Sequence, residues 1–275
     1  MLTPGYFTLF TILVYAAASA CGVAGLVRGK KPMLALAGKL ALLAFFCQTA
    51  VLILGFHKSP DGFLSLGAYL QLLAWFILLC GVSAWWRLHH ETLLLFALPL
   101  GLILFLLSAP SLDMSIRLPG YLSLPFYALH IGALFLSLGL LGLGCVASLL
   151  FLLLERKIKE RKQLHGFWQG LPAITLLDKI NAACGLAAFP LYTLGVVAGL
   201  FWAIPAYGQR VVTDPKELTS LLVWLLLAIL FHNRLAKNWR GRKPAILTLI
   251  IFSLSLASLF AVNFLLDTHH GFTHS

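Results

Sequence analysis

The chain has 275 residues, of which 60% are hydrophobic and only 11% charged. A soluble domain carries about a quarter charged residues, so a water-soluble globular fold is excluded and lipid must be the solvent. The formal net charge of +11 would suit nucleic acid, but the placement of the cations gives it another meaning.

About 20 apolar residues cross a bilayer as a helix. Eight such runs predict an all-α, polytopic membrane bundle, with residues 1–275 as a single transmembrane domain. The first run, about 5–27, lacks a basic leader and is followed by Arg28, Lys30 and Lys31. That order reads as a retained helix with its N-terminus outside. The second run, 33–56, leads to Lys58, and the third, 63–86, to Arg87. The fourth, 92–110, leads to Arg117, and the fifth, 126–154, to Arg156, Lys157, Lys159, Arg161 and Lys162. The sixth, 182–204, precedes Arg210 and Lys216. The seventh, 218–233, precedes Arg234, Lys237, Arg240, Arg242 and Lys243, and the eighth spans 245–266.

Cytoplasmic loops are enriched in Lys and Arg. With Lys39 and Lys179 assigned by position, 16 of the 20 cations fall on one side, leaving Lys58, Arg117, Arg210 and Lys216 on the other. Both termini are therefore expected outside. The basic balance is topology, with attraction to anionic lipid as a by-product, and no nucleic-acid partner is expected.

Cys21, Cys47, Cys80, Cys145 and Cys184 all lie in apolar runs, and none pairs as C-x-x-C. They read as small buried hydrophobes, which excludes a thiol–disulfide relay of the usual type and a c-type haem attachment site. The chain contains no P-loop, dinucleotide fingerprint or H-E-x-x-H zinc motif.

Polar residues inside the membrane are the informative ones. His130, in "LPFYALHIGALF", is expected one to two turns inside the outer end of a helix started by Pro125. It is either bonded to a neighbouring helix or a metal or haem ligand. His269 and His270 follow the eighth run at the same outer level. His232 lies at the inner end of the seventh run, as a ligand or as an interfacial residue that snorkels with Arg234. His89 and His90 share its level, His57 lies near the outer face, and His165 sits in the basic loop. In "VVTDPKELTSLLVW", Asp214 is a good N-cap, Pro215 suits the first helical position and Glu217 the third.

The stretch "WAIPAYGQRVVTDPKELTSLLVWLLLAILFHNRLAKNWRGRKPA" resembles the signature of the cytochrome c assembly family, which includes the CcsA, ResC and HemX proteins. That signature reads W-A-x-x-A-W-G-x-x-W-x-W-D-P-K-E, then L-H-x-R, then G-W-R-G-R. Trp202, Ala203, Ala206, Gly208 and Asp214 through Glu217 keep their places; His232 and Arg234 match the second step, and Trp239 through Arg242 the third. "VNFLLDTHHG" resembles the family's closing segment and puts His270 on its histidine, while "YALHIGALFLSLGLLGLG" resembles the segment carrying the other outer histidine, His130. The likeness covers about residues 120–270.

The resemblance implies a multi-pass protein of the bacterial inner membrane that binds b-type, non-covalent haem. His130 and His270 would be the axial ligands, under a platform containing Trp202, Tyr207 and Asp214. His232 would serve a second haem, with His89, His90 or a partner subunit supplying the other ligand. Phe126, Tyr127 and Phe272 are candidate walls for the ring, and Arg117 or Arg210 candidate partners for its carboxylates. The family's tryptophans fall here on Tyr207, Val211 and Thr213, of which only Tyr207 is aromatic. This favours a HemX-like or divergent member that escorts haem. Synthase activity would need a CcsB-like subunit and apocytochrome c. The rival readings are a regulator of tetrapyrrole synthesis and a di-haem electron carrier.

Overall fold

The computed structural model describes residues 4–57, 64–108, 115–116, 124–160, 168, 170–207 and 215–259. Among these residues eight α-helices follow one another: α1 (Pro4–Val27), α2 (Lys31–His57), α3 (Leu66–Leu88), α4 (Leu94–Ser108), α5 (Leu124–Lys159), α6 (Ile174–Tyr207), α7 (Pro215–Ala236) and α8 (Arg242–Ala257). The first seven are long and apolar enough to cross a membrane; α8 has 16 described residues. The polytopic helix bundle expected from the hydropathy is the architecture observed. Besides a 3-10 turn at Glu91–Leu93 between α3 and α4, one small addition interrupts the helices among the described residues. Leu64–Ser65 (β1) and Ser115–Ile116 (β2) pair antiparallel, joining the α2–α3 connection to the α4–α5 connection.

Successive helices pack as hairpins, and α5 also lies against α3 and α8, so it bridges the two halves of the bundle. One core runs through all eight helices, from Tyr15, Ala41, Leu73 and Leu98 to Leu141, Ala188, Leu227 and Ile251. Large apolar side chains also cover the outside, among them Phe46, Ile53, Ile103, Leu200 and Leu225. Such a belt suits hydrocarbon rather than water.

Helix ends follow local chemistry. Gly29 takes φ +63 after α1, and Lys30 N–H reaches back to the Gly25 carbonyl at 2.8 Å, as in a left-handed C-terminal cap. His89 and Asn238 adopt positive φ after α3 and α7. α7 begins at Pro215, the first helical position expected from the sequence.

Two chains of buried polar groups fasten the bundle, as they must where no water can satisfy them. In the first half, the Tyr15 hydroxyl donates to Gln48 Oε1. Gln48 Nε2 then donates to the Gln71 carbonyl at 2.8 Å, Gln71 Nε2 to Ser108 Oγ at 3.3 Å, and Ser108 to the Phe105 carbonyl at 2.6 Å. This links α1 through α4. The second chain links α5 through α8 and belongs to the inner site described below.

Candidate functional site

The outer candidate site is built on the α5–α6 hairpin, the most extensive helix pair in the fold. Phe126, His130 and Leu134 are spaced four apart and so share one face of α5. α6 runs antiparallel and meets them with Phe201, Gly199 and Gly195. The rings of Phe126 and Phe201 stand 5.7 Å apart, and both side chains are exposed. The half-buried His130 ring lies over Gly199, where an added Cβ would sit 2.5 Å from Nδ1. Leu134 packs on Gly195, where an added Cβ would sit 2.7 Å from its Cγ.

His130 Nδ1 is 2.7 Å from the Gly195 carbonyl oxygen. A carbonyl only accepts, so Nδ1 carries the proton. In the neutral ring Nε2 then holds the lone pair. The bond to a neighbouring helix, one of the two readings of His130, is thus present; it is also compatible with the other, because metal-ligating histidines spend one ring N–H on a carbonyl and the other nitrogen on the metal.

Not all the expected ring walls lie on this face. Tyr127 is buried, 4% exposed, against Tyr69, Leu72 and Ile131, so it belongs to the core and not to the site. Neighbouring positions on a helix diverge by about 100°, and only Phe126 shares the His130 face. Trp202 and Tyr207 fall in the last turns of α6, with side chains outside the described part. Asp214, His269, His270, Phe272, Arg117 and Arg210 lie outside the described residues.

The inner candidate site is the end of α7. His232 is exposed on the outward face of the bundle. Arg234, two positions on and about 200° around the helix, is buried, with 4% of its side chain exposed. The expectation that Arg234 snorkels beside His232 is therefore wrong: the guanidinium turns inward because acceptors await it there. Nη1 donates to Asp178 Oδ1 at 3.0 Å and to the Trp239 carbonyl at 2.8 Å, and Nη2 donates to Asn181 Oδ1. Asp178 Oδ1 also accepts the Gly241 N–H at 3.0 Å. Asn181 Nδ2 donates to Ser148 Oγ at 2.6 Å and Thr248 Oγ1 at 2.9 Å. Those hydroxyls pass on to the Gly144 and Pro244 carbonyls.

The sequence reading passed over Asp178 and Asn181, and it began the sixth helix at 182. The helix starts at Ile174 because those polar side chains find partners on α5, α7 and α8 and need not lie outside the membrane. Their three-residue spacing was the available signal, since it places both on one face. Gly195 and Gly199 were missed too, although G-x-x-x-G marks close helix approach in membranes.

The structure does not join His232 to His89 or His90. α7 packs on α6 and α8, and no described hydrogen bond links these histidines. Among the described residues no group of three or more His, Cys, Asp or Glu is placed to hold a metal ion.

A family model described as "Cytochrome C assembly protein" matches residues 33–270. The chain is 26% identical to a cytochrome c biogenesis protein CcsA of Guillardia theta over 247 residues, covering 82% of each chain. It is 34% identical to that of Chlamydomonas reinhardtii over 145 residues, covering 52% of this chain and 39% of that one. Similarity to the CcsA of a Synechococcus strain is 37% over 105 residues, covering 38% and 30%. The matched stretch thus spans well under half of the Chlamydomonas and Synechococcus proteins.

Proposed function

The chain belongs to the cytochrome c assembly protein family, and on that premise we propose that it holds haem at the outer face of the membrane and escorts it for c-type cytochrome biogenesis. His130 and His270 are the axial ligands in this reading. Haem is cargo: it arrives and leaves without a covalent bond, and its iron accepts two imidazole nitrogens while held. The described cysteines are free and lie in the helices, which suits non-covalent holding.

The observation that carries the reading is the His130–Gly195 bond of 2.7 Å. It favours the proton on Nδ1 and so makes Nε2 the basic nitrogen. Beside it, the exposed Phe126 and Phe201 rings offer the apolar surface that a porphyrin stacks on. The remaining ligand, His270, and the platform residues Trp202, Tyr207 and Asp214 come to the site from the motif register alone.

At the inner end, His232 faces away from its own bundle. A polar ring exposed to lipid is costly unless something covers it. We assign it to a second haem shared with a partner chain, a CcsB-like subunit that supplies the other ligand. An electron carrier would instead need paired histidines facing across the bundle; at the inner level His89 and His232 are exposed and His90 is half-buried, with no described hydrogen bond between them.

The test is the visible spectrum and haem content of four single variants at matched protein level. His130→Ala and His270→Ala should each lose the six-coordinate bis-histidine form, and added imidazole should restore it. His269→Ala should do much less, and His274→Ala almost nothing. Wild-type spectra for both His130→Ala and His270→Ala would overturn the ligand assignment.

A further inference from the structure

We propose that Gly199 is a positioning residue for His130: by having no side chain it opens the Gly195 carbonyl to the imidazole, and so fixes the ring as its Nδ1–H tautomer. The consequence for haem rests on the reading of His130 as an axial ligand; the tautomer itself does not.

Inside an α-helix the carbonyl of residue 195 accepts the N–H of residue 199. A helical side chain leans toward the N-terminus and covers the turn before its own Cα. Position 199 therefore covers the carbonyl of position 195. Any Cβ there would lie 2.5 Å from His130 Nδ1 and 2.7 Å from Cε1, closer than carbon and nitrogen approach without a bond. The ring occupies the space that a side chain would fill, and it uses the second lone pair of a carbonyl already bonded within the helix.

The two glycines of the pair have separate tasks. A Cβ at Gly195 would meet Leu134 side-chain atoms at 2.7 Å and the Leu134 backbone nitrogen at 3.2 Å. Gly195 thus sets the distance between the helices. At Gly199 the three nearest atoms all belong to the His130 ring. A methyl group at 199 meets the ring first, and no α5 backbone atom lies closer to it than 3.4 Å. Two residues beyond His130, Gly132 has no atom within 4 Å of an added Cβ, which makes it the matched control.

Two measurements test this on the full-length protein in lipid. The first is nitrogen NMR of histidine-labelled, haem-free protein, with the His130 signals identified by their loss in His130→Ala. Wild type should show Nδ1 protonated and Nε2 unprotonated; Gly199→Ala should lose that preference, and Gly132→Ala should keep it. The second is haem titration followed by absorption. Gly199→Ala should lose about 10- to 100-fold in affinity, the usual cost of removing the outer partner of a ligating histidine, and imidazole should restore its spectrum. A wild-type ring protonated on Nε2 overturns the proposal, as does a Gly199→Ala protein with wild-type tautomer and affinity. If Gly199→Ala does not accumulate, the wild-type tautomer decides alone. If His130→Ala leaves the haem spectrum unchanged, the ligand reading fails, and the tautomer measurement still decides the role of the glycine.

Discussion

Arg234 of α7 reaches Asp178 of α6 at 3.0 Å, with only 4% and 17% of the two side chains exposed. The same carboxylate oxygen takes the Gly241 N–H that opens α8. One acid therefore neutralises the buried arginine and anchors the turn after it. Asp178→Ala would strand a buried cation, at a cost of about 3–5 kcal/mol. Asp178→Asn keeps a hydrogen-bond acceptor and should cost less. The measurement is thermal unfolding in detergent. Asp178→Ala should give the lowest midpoint, and adding Arg234→Met should recover part of the loss. Equal midpoints for wild type and Asp178→Ala would show that the pair carries no stability.

His232 and Arg234 sit two residues apart in one motif yet serve opposite faces of α7. Their variants should therefore separate. His232→Ala should leave folding within about 0.5 kcal/mol of wild type, as exposed substitutions do. It should remove only the part of the haem spectrum that belongs to the inner site. Arg234→Ala should reduce accumulated protein and take both sites with it. Loss of protein with His232→Ala would mean that the ring packs against something within the chain.

Where α7 starts, the acid before Pro215 can act as a cap, as part of the haem platform, or as both. Asp214→Asn keeps a good cap and removes the charge, whereas Asp214→Ala loses both, at about 0.5–2 kcal/mol. If Asp214 only caps, the Asn variant should bind haem as wild type does. Normal accumulation with lost haem binding would assign the carboxylate to the platform.

The eight-helix pattern was legible because lipid demands it: runs of about 20 apolar residues have few other uses. What hydropathy hid was the polar part of each helix. Asp178, Lys179 and Asn181 look like a loop to an apolar count, and only the partners on three other helices explain why α6 continues through them. Likewise His130 announced itself as a polar residue in an apolar run, but its proton position depends on a carbonyl 65 residues away. Tyr127 was misassigned because adjacent aromatics look equivalent in sequence, while the helix turns one outward and buries the other.

The charge pattern predicts both termini outside, because it puts 16 of the 20 Lys and Arg residues on one side. A reporter that is active only in the cytoplasm should be silent when fused after Ser275. A bright signal would invert the topology, and with it the assignment of His130 to the outer face.

The two polar fastenings lie at opposite depths in the charge-derived topology. Tyr15, Gln48, Gln71 and Ser108 tie the first four helices in their outer half. The Arg234 network ties the last four at their inner end. Toward the outside, the described links among α6, α7 and α8 are single neutral bonds, such as Thr219 to Ser258 at 2.7 Å and Trp224 to Thr193 at 3.0 Å. Charged, multiply bonded contacts are roughly twice as strong as these. The C-terminal half is therefore built like a clothes-peg, with its spring at the cytoplasmic end and its jaws at the outer surface. On the proposed reading of His130, a bulky flat cargo beside it would be gripped or let go at the less firmly tied end, while the inner ends stay clenched.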